Sequence, residues 1–337
     1  MKYIPYYFAL CQGLLFKLFF FKTKVYYEDE HKQNKRIVGS AIIITNHRTF
    51  MDAIVICLKY FFRRLNFVIA DFTEYYKEKK TFLARALLTV AKFFVILFAG
   101  NLFIDRLGYN LGFIEKCKRI TAKGKVLLMF PEGDYKHLYE PGKFYPGYVI
   151  TAIKTDTKII PIVNDFNYGI FKRVHLMIGN SIDLSAYDST DLTKANIEEI
   201  NNEIHKIFMN LFYKLKRKKA ERFSKKYEFI SPKPGDVIRI FVGTHYHYGV
   251  YLDSNEVIQF GHAINTANES ATVNLVSLSE FCGNKIPEVR VLKRFEKRFL
   301  RKSSDVEKYA KSCLGQGGYS ITENNCLDFA NRITLKI

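Results

Sequence analysis

The chain has 337 residues, 48% of them hydrophobic, and a formal charge of +19. That length exceeds the roughly 100–150 residues of one ordinary core, so two domains are expected, and the apolar content excludes disorder over most of the chain. The basic excess requires an anionic partner; with no CxxC pairing and no RNP-like aromatic motif, an anionic membrane surface fits and nucleic acid does not.

The six cysteines, Cys11, Cys57, Cys117, Cys282, Cys313 and Cys326, follow no framework spacing. They read as reduced thiols of a cytosolic setting, and no metal site is expected from them. From Tyr3 to Phe21 the chain is almost wholly apolar, broken by Lys17, and it lacks the small-residue cleavage site of a signal peptide. Residues 1–25 are therefore expected to be an apolar helix associated with the membrane from the cytoplasmic face, either lying in it or spanning it once, with Lys17 snorkelling.

The β-branched run Ile37–Thr45 reads as a buried strand, and Thr49–Tyr60 as a helix. Strands are expected again at 66–71, 101–105, 125–133 and 157–165, with an amphipathic helix from Leu111 to Lys123 closed by Gly124. Residues 82–100 form a second apolar segment long enough to touch a membrane. Strands alternating with helices define an α/β domain, placed at 26–212. A long helix from Thr193 to about Lys226 ends in "KLKRKKAERFSKK"; residues 213–229 are taken as a basic helical linker that also lies along an anionic leaflet. After Phe229 the alternation of "VIRIFVGTHYHYGVYL", punctuated by Pro-Gly and Asp-Ser-Asn, indicates short antiparallel strands, followed by helices at 304–315 and 326–333. This α+β domain occupies 230–337.

Within "IIITNHRTFMDAI" the chain leaves a strand and presents Asn46, His47 and Asp52. Five residues turn a side chain about 140° around a helix, so His47 and Asp52 cannot share one helical face. If His47 ends the strand and Thr49 caps the helix, Asp52 sits in the first turn and can reach back to the imidazole. The same Thr49-x-x-Asp52 spacing is also a capping box in its own right. Further along, "GNLFIDR" delivers Arg106 beyond a strand, "FPEG" delivers Glu132 and Gly133, and "IIPIV" sets Pro161 in an apolar strand.

These four blocks, in this order, resemble the glycerophospholipid acyltransferase family (1-acyl-glycerol-3-phosphate acyltransferases, the PlsC-like proteins) over about residues 30–185. The resemblance implies that His47 is the general base toward an acceptor hydroxyl or amine and that Asp52 holds its tautomer. Asn46, Arg106, Glu132 and Gly133 fall at substrate-binding positions. It further implies direct attack on an acyl thioester, acyl-ACP or acyl-CoA, with no bound cofactor. Where the family continues Thr-Arg after its F-P-E-G block this chain has Asp134-Tyr135, and its F-K-x-G block reads Phe144-Tyr145-Pro146-Gly147. Arg106, Lys136, His137 and Lys143 are the cations left to meet an acceptor, and a lysolipid without a phosphate monoester becomes an option.

In the C-terminal part, "KPGDVIRIF", "HYGVYL", "VIQFG" and "NNCLDF" resemble the lecithin:retinol acyltransferase-like family, a circularly permuted relative of NlpC-type, papain-like cysteine peptidases. Residues 231–333 match throughout. The resemblance implies Cys326 as a nucleophile that forms an acyl thioester and His247 as its base. The third position is Gln259; His262 is a weaker candidate for it, and His245 alternates in phase with His247. From the residues alone, Cys326 at a helix N-terminus is expected to have a depressed thiol pKa. The expected whole is a membrane lipid acyltransferase of phospholipid metabolism with two acyl-transfer centres, acting on membrane lipids with acyl-carrier protein or acyl-CoA as partner. The alternative is that the cysteine domain is a phospholipase A or amide hydrolase.

Overall fold

Three runs rich in Ile, Leu and Val, at Ala41–Thr45, Val126–Met129 and Ile159–Asn164, are buried at every position. With no face left for water, they belong at the centre of a sheet covered on both sides, the pattern of parallel α/β architecture. The computed structural model describes residues 11, 21–49, 51–70, 102–104, 111–133, 140–166, 168, 172–187, 192–261, 271–321 and 324–337, in two units, Met1–Leu211 and Phe212–Ile337.

In the first unit the strands are β1 (Phe21–Tyr27), β2 (Ala41–Thr45), β3 (Leu65–Ala70), β4 (Leu102–Ile104), β5 (Val126–Met129), β6 (Ile159–Asn164) and β7 (Lys172–Ile178). They form one sheet in the order β1-β7-β6-β2-β5-β3-β4. Every neighbouring pair is parallel except β6 with β7. Among the described residues its helices include α1 (Met51–Lys59), α2 (Leu111–Thr121) and α3 (Gly147–Lys154). A fourth, α4 (Lys194–Ala220), begins in this unit and ends in the second.

Val55 and Ile56 of α1 pack on Ile43, Leu128 and Ile160 of the sheet. Each such side chain, fully buried, contributes about 1.5–3 kcal/mol relative to exposure. The consequence for function lies in the register: Ile44 of β2 is level with Met129 of β5 on one side and Pro161 of β6 on the other. All three strands therefore release the chain at the same edge, where open α/β sheets hold their ligands.

Residues 21–25, expected as the end of an apolar helix, are instead part of β1, which pairs with β7 along its whole length. The sequence FKTKVYY carries the two-residue alternation of a strand, and Lys22 and Lys24 project outward on the sheet edge. The other apolar positions of 3–20, apart from Cys11, and the segment 82–100 lie outside the described residues. Among the described residues no helix is long and apolar enough to cross a membrane.

The second unit is built on β8 (Tyr227–Glu228), β9 (Val237–Phe241), β10 (Tyr246–Tyr251), β11 (Glu256–Phe260), β12 (Val273–Ser277) and β13 (Glu288–Arg290). The order is β12-β11-β10-β9-β13-β8, antiparallel throughout. Helices α5 (Leu278–Cys282), α6 (Ser303–Ser312) and α7 (Cys326–Thr334) complete it. A full capping box starts α7, in which the Asn325 side chain accepts from Asp328 N–H and the Asp328 side chain from Asn325 N–H.

The basic stretch read as a linker along a membrane is largely folded into this unit. Lys216 and Lys219 are buried, Lys216 donates to the Ile337 carbonyl, and Arg217 pairs with Asp328. Phe223 packs with Leu292, Leu335 and Ile337. Charges that looked solvated in sequence are thus paired inside the fold.

Candidate active sites

Each of the three central strands of the first unit delivers one polar group to the common edge. Asn46 follows β2, and its amide joins the backbone of Asn164 at the end of β6 twice: Nδ2 donates to the Asn164 carbonyl and Oδ1 accepts from its N–H, both at 2.9 Å. Glu132, three residues past β5, accepts from the His47 N–H at 2.9 Å and from the Gly142 N–H at 2.7 Å. These bonds stitch the three strand exits together and fix the backbone on which His47 sits.

The imidazole is then oriented from two directions. Its Nδ1 lies 3.1 Å from Asp52 Oδ2, and its ring stacks on Phe130 with centroids 3.7 Å apart and planes 23° from parallel. Asp52 Oδ2 also accepts from Arg48 N–H at 2.7 Å and Thr49 N–H at 2.8 Å. The bond from Thr49 is one half of the capping box expected at the start of α1, so one carboxylate serves as both helix cap and histidine partner. An oxygen already accepting from two backbone donors faces Nδ1 as an acceptor. That assigns the hydrogen to Nδ1 and the proton-accepting role to Nε2.

Asp52 Oδ1 is held as well. It accepts from the Tyr168 hydroxyl, and Asn164 Nδ2 lies 3.4 Å from it and 2.6 Å from the Tyr168 oxygen. Burial, reinforced by the Asp52 charge, pushes the Tyr168 phenol well above its ordinary value, so it remains a donor. Burial likewise raises the Glu132 carboxyl, against the lowering by its two N–H donors. The side chain of His47 is 15% exposed while that of Asp52 is closed off at 0%, the arrangement of a base open to a reactant and an orienter that is not. A second buried pair, His175 with Asp165 at 2.8 Å, is 5% and 0% exposed and ties β6 to β7.

Of the predicted substrate-binding residues, Asn46 and Glu132 each bond the scaffold through both polar atoms of the side chain. Gly133 sits at φ +72°, and a Cβ there would come 3.1 Å from the Tyr145 ring, so only glycine fits this turn without a shift. Lys143 is exposed and faces Glu198 at 3.5 Å. Arg106, Lys136 and His137 lie outside the described residues. Phe130, Asn164 and Tyr168 escaped the sequence reading. Asn164 ends β6 and Tyr168 follows it, and nothing in spacing links either to an aspartate more than a hundred residues earlier.

In the second unit His247 is fully buried on β10, and Nε2 lies 2.7 Å from Gln259 Oε1 on the adjacent β11. The orientation of this amide follows from groups that can only accept. Asn274 Nδ2 donates to the carbonyls of Gly261 and Thr272, at 3.3 and 3.0 Å, which turns Asn274 Oδ1 toward Gln259. Gln259 Nε2 must then donate to Asn274, at 3.0 Å, leaving its Oε1 to accept from His247. The hydrogen is therefore on Nε2 of His247, and Nδ1 is the base. Asn274 was not among the predicted residues; it is level with Gln259 across β11 and β12, a pairing that only the sheet register reveals.

Cys326 opens α7 with 5% exposure. Its thiol is raised above the ordinary value by burial, although hydrogen bonds from the Tyr248 N–H, the Tyr319 hydroxyl and the Leu327 and Cys326 N–H groups pull the other way. The depressed pKa expected from the helix N-terminus is thus overturned: desolvation of the thiolate outweighs the local donors. A thiol in this condition needs a base to take its proton. The Tyr248 amide that acts on it belongs to the residue following His247, and α7 packs against β10. His245 is exposed, beside Thr244 Oγ1 at 3.1 Å, and His262 lies outside the described residues.

An imidazole–carboxylate base at a sheet edge and a thiol with an amide-oriented histidine both belong to acyl-transfer chemistry, and the chain is an acyltransferase. An Acyltransferase family model matches residues 24–165 and a Lecithin retinol acyltransferase family model matches residues 230–335. The protein thus carries an acyltransferase domain followed by a lecithin retinol acyltransferase domain. Among solved structures it is similar to the 1-acyl-sn-glycerophosphate (LPA) acyltransferase PlsC from Thermotoga maritima, at 15% identity and a TM-score of 0.39, over 60% of this chain and 78% of that one. A comparison with curated proteins gives no match.

Proposed function

We propose that this protein is a membrane lipid acyltransferase with two acyl-transfer centres, acting at the cytoplasmic face of a membrane. The observation that carries the reading is the hydrogen-bond set around each histidine, which assigns a proton-accepting nitrogen to His47 and to His247 by different means.

In the first centre His47 Nε2 takes the proton of an acceptor hydroxyl on a lysolipid or related molecule. The acceptor oxygen attacks the thioester carbonyl of acyl-ACP or acyl-CoA, the C–S bond breaks, and the thiol leaves with the proton returned from His47. Asp52 stabilises the imidazolium formed in between. In the second centre His247 Nδ1 takes the Cys326 proton while Sγ attacks a lipid ester. The C–O bond breaks, the released alcohol takes the proton, and the acyl group remains as a thioester on Cys326. An amine or alcohol then attacks that thioester and restores the thiol. The lysolipid released at the second centre is an acceptor of the kind the first consumes, and carriage on one chain raises the effective concentration of such a shared intermediate.

The test is His47→Ala and, separately, Cys326→Ala, with labelled acyl donors and lipid mass spectrometry of cells expressing each variant. Each is expected to abolish a different lipid product. If neither variant loses one, the two-centre reading fails. Release of free fatty acid from the cysteine domain with water as the sole acceptor would assign it to hydrolysis instead.

A further inference from the structure

The F-P-E-G turn and the stretch that precedes α3 are bonded to each other at two points. Glu132 Oε2 accepts from the Gly142 N–H at 2.7 Å, and the Tyr145 N–H donates to the Pro131 carbonyl at 2.8 Å. The other oxygen of Glu132 takes the His47 N–H. Gly142 therefore stands one carboxylate away from the backbone of the first base, and it has no side chain of its own to anchor it.

The anchor comes from the part of α4 that belongs to the first unit. His205 Nε2 lies 3.0 Å from the Gly142 carbonyl, which can only accept, so the ring hydrogen is on Nε2. Burial lowers the His205 pKa from its ordinary 6.5, against the raising by this bond, so the imidazole is neutral at pH 7 and this is the one ring N–H it has. One turn earlier Asn201 Nδ2 donates to the Phe144 carbonyl at 3.0 Å. Phe144 is fully buried, with its ring 4.7 Å from that of His205 and 5.0 Å from that of Phe208. Positions 201, 205 and 208 recur at i, i+4 and i+7, so a single stripe of α4 clamps residues 142–144.

Helices often hold loops in this way for packing alone. Here the residue held donates to a carboxylate that is 2% exposed, and a buried acceptor that loses its donor bears the full cost of desolvation or moves. Any shift of Glu132 is carried to the His47 backbone through its other oxygen. We propose that His205 is a positioning residue of the first centre: by holding the Gly142 carbonyl it seats Glu132, and through Glu132 the backbone that carries His47. The proposal rests on the reading of His47 as the base of that centre.

The test uses the full-length chain. His205→Phe keeps a ring against Phe144 and removes the N–H, whereas His205→Gln returns an N–H donor. His205→Phe is expected to lower kcat for thioester-dependent acyl transfer about fivefold and to leave the KM of the lysolipid acceptor within about twofold. Acyl-Cys326 formation is expected to stay unchanged. His205→Gln is expected to recover kcat to within about twofold of the unmodified chain. Hydrogen exchange, read by mass spectrometry, is expected to quicken about fivefold in His205→Phe in peptides covering residues 46–49 and 142–145, with β6 and β7 at their original rates. In a Glu132→Gln background the same substitution is expected to leave exchange at 46–49 where that background set it, because the carboxylate through which it acts is gone. Unchanged exchange at 46–49, or exchange that quickens equally across the sheet, overturns the proposal. So does an undiminished kcat in His205→Phe, or a loss in His205→Gln as large as in His205→Phe, which would assign the effect to the ring rather than the bond. Quickened exchange at 46–49 in a chain that transfers no acyl group from a thioester would keep the clamp and sink the reading of His47 as a base.

Discussion

Replacement of Gln259 by leucine tests the orientation of the second base most directly. The side chain keeps roughly its volume and loses the oxygen that accepts from His247 Nε2 at 2.7 Å in a fully buried site. A hydrogen bond between neutral groups contributes about 1 kcal/mol, and one to a charged group about 1.5–3 kcal/mol. Only the difference slows proton transfer from Cys326, because the part lost equally from the neutral imidazole does not change the barrier. That difference, about 0.5–2 kcal/mol, corresponds to roughly a 2–30-fold fall in the rate of acyl-Cys326 formation. Freedom of the ring to take the other tautomer pushes the value toward the upper end. The assay is intact-protein mass spectrometry of the acyl adduct against time on a lipid substrate. Asn274→Leu keeps the oxygen and frees the amide to turn over, so it is expected to cost only about twofold. An unchanged rate in Gln259→Leu, or a loss in Asn274→Leu as large as that of His247→Ala, would refute the reasoning.

Asp52→Asn is expected to lower thioester-dependent acyl transfer by about 10³–10⁴-fold, because a neutral amide does not stabilise the imidazolium and, with its oxygen toward His47, turns an NH2 on the Tyr168 and Asn164 donors; steady-state kinetics with the lysolipid acceptor check it. Tyr168→Phe removes one of several donors to Asp52 and is expected to cost only about fivefold in the same assay. Gly133→Ala forces a side chain to φ +72° against the Tyr145 ring and is expected to destabilise the fold by about 1–3 kcal/mol, read as a lowered thermal midpoint. In a Cys11→Ser background, which removes the exposed thiol, Cys326 alkylation is expected to climb with pH beyond the ordinary thiol value of 9.0. A raised folded-state thiol pKa means that ionisation disfavours the fold, so the stability contributed by this group is full below the ordinary thiol value of 9.0 and is lost as pH rises from there through the raised folded-state value. An alkylation rate already on a plateau below neutrality would show a preformed thiolate and contradict the burial argument.

Much of this was written in short-range pattern. Isoleucine runs bounded by polar residues marked β2 and β6, alternation marked β9 to β11, and the order of blocks around His47, Glu132, His247 and Cys326 carried both family resemblances. Such signals survive in sequence because period and spacing are properties of neighbours along the chain. Three kinds of fact waited for tertiary structure. Strand order brought Asn164 and Tyr168 to Asp52, and register brought Asn274 to Gln259, pairings set by backbone ladders rather than by nearby residues. Burial decided the state of Cys326, where local donors argued for a thiolate and desolvation won. Burial also turned Lys216 and Lys219 from an apparent surface strip into interior cations, since solvation depends on what the rest of the chain packs against a residue.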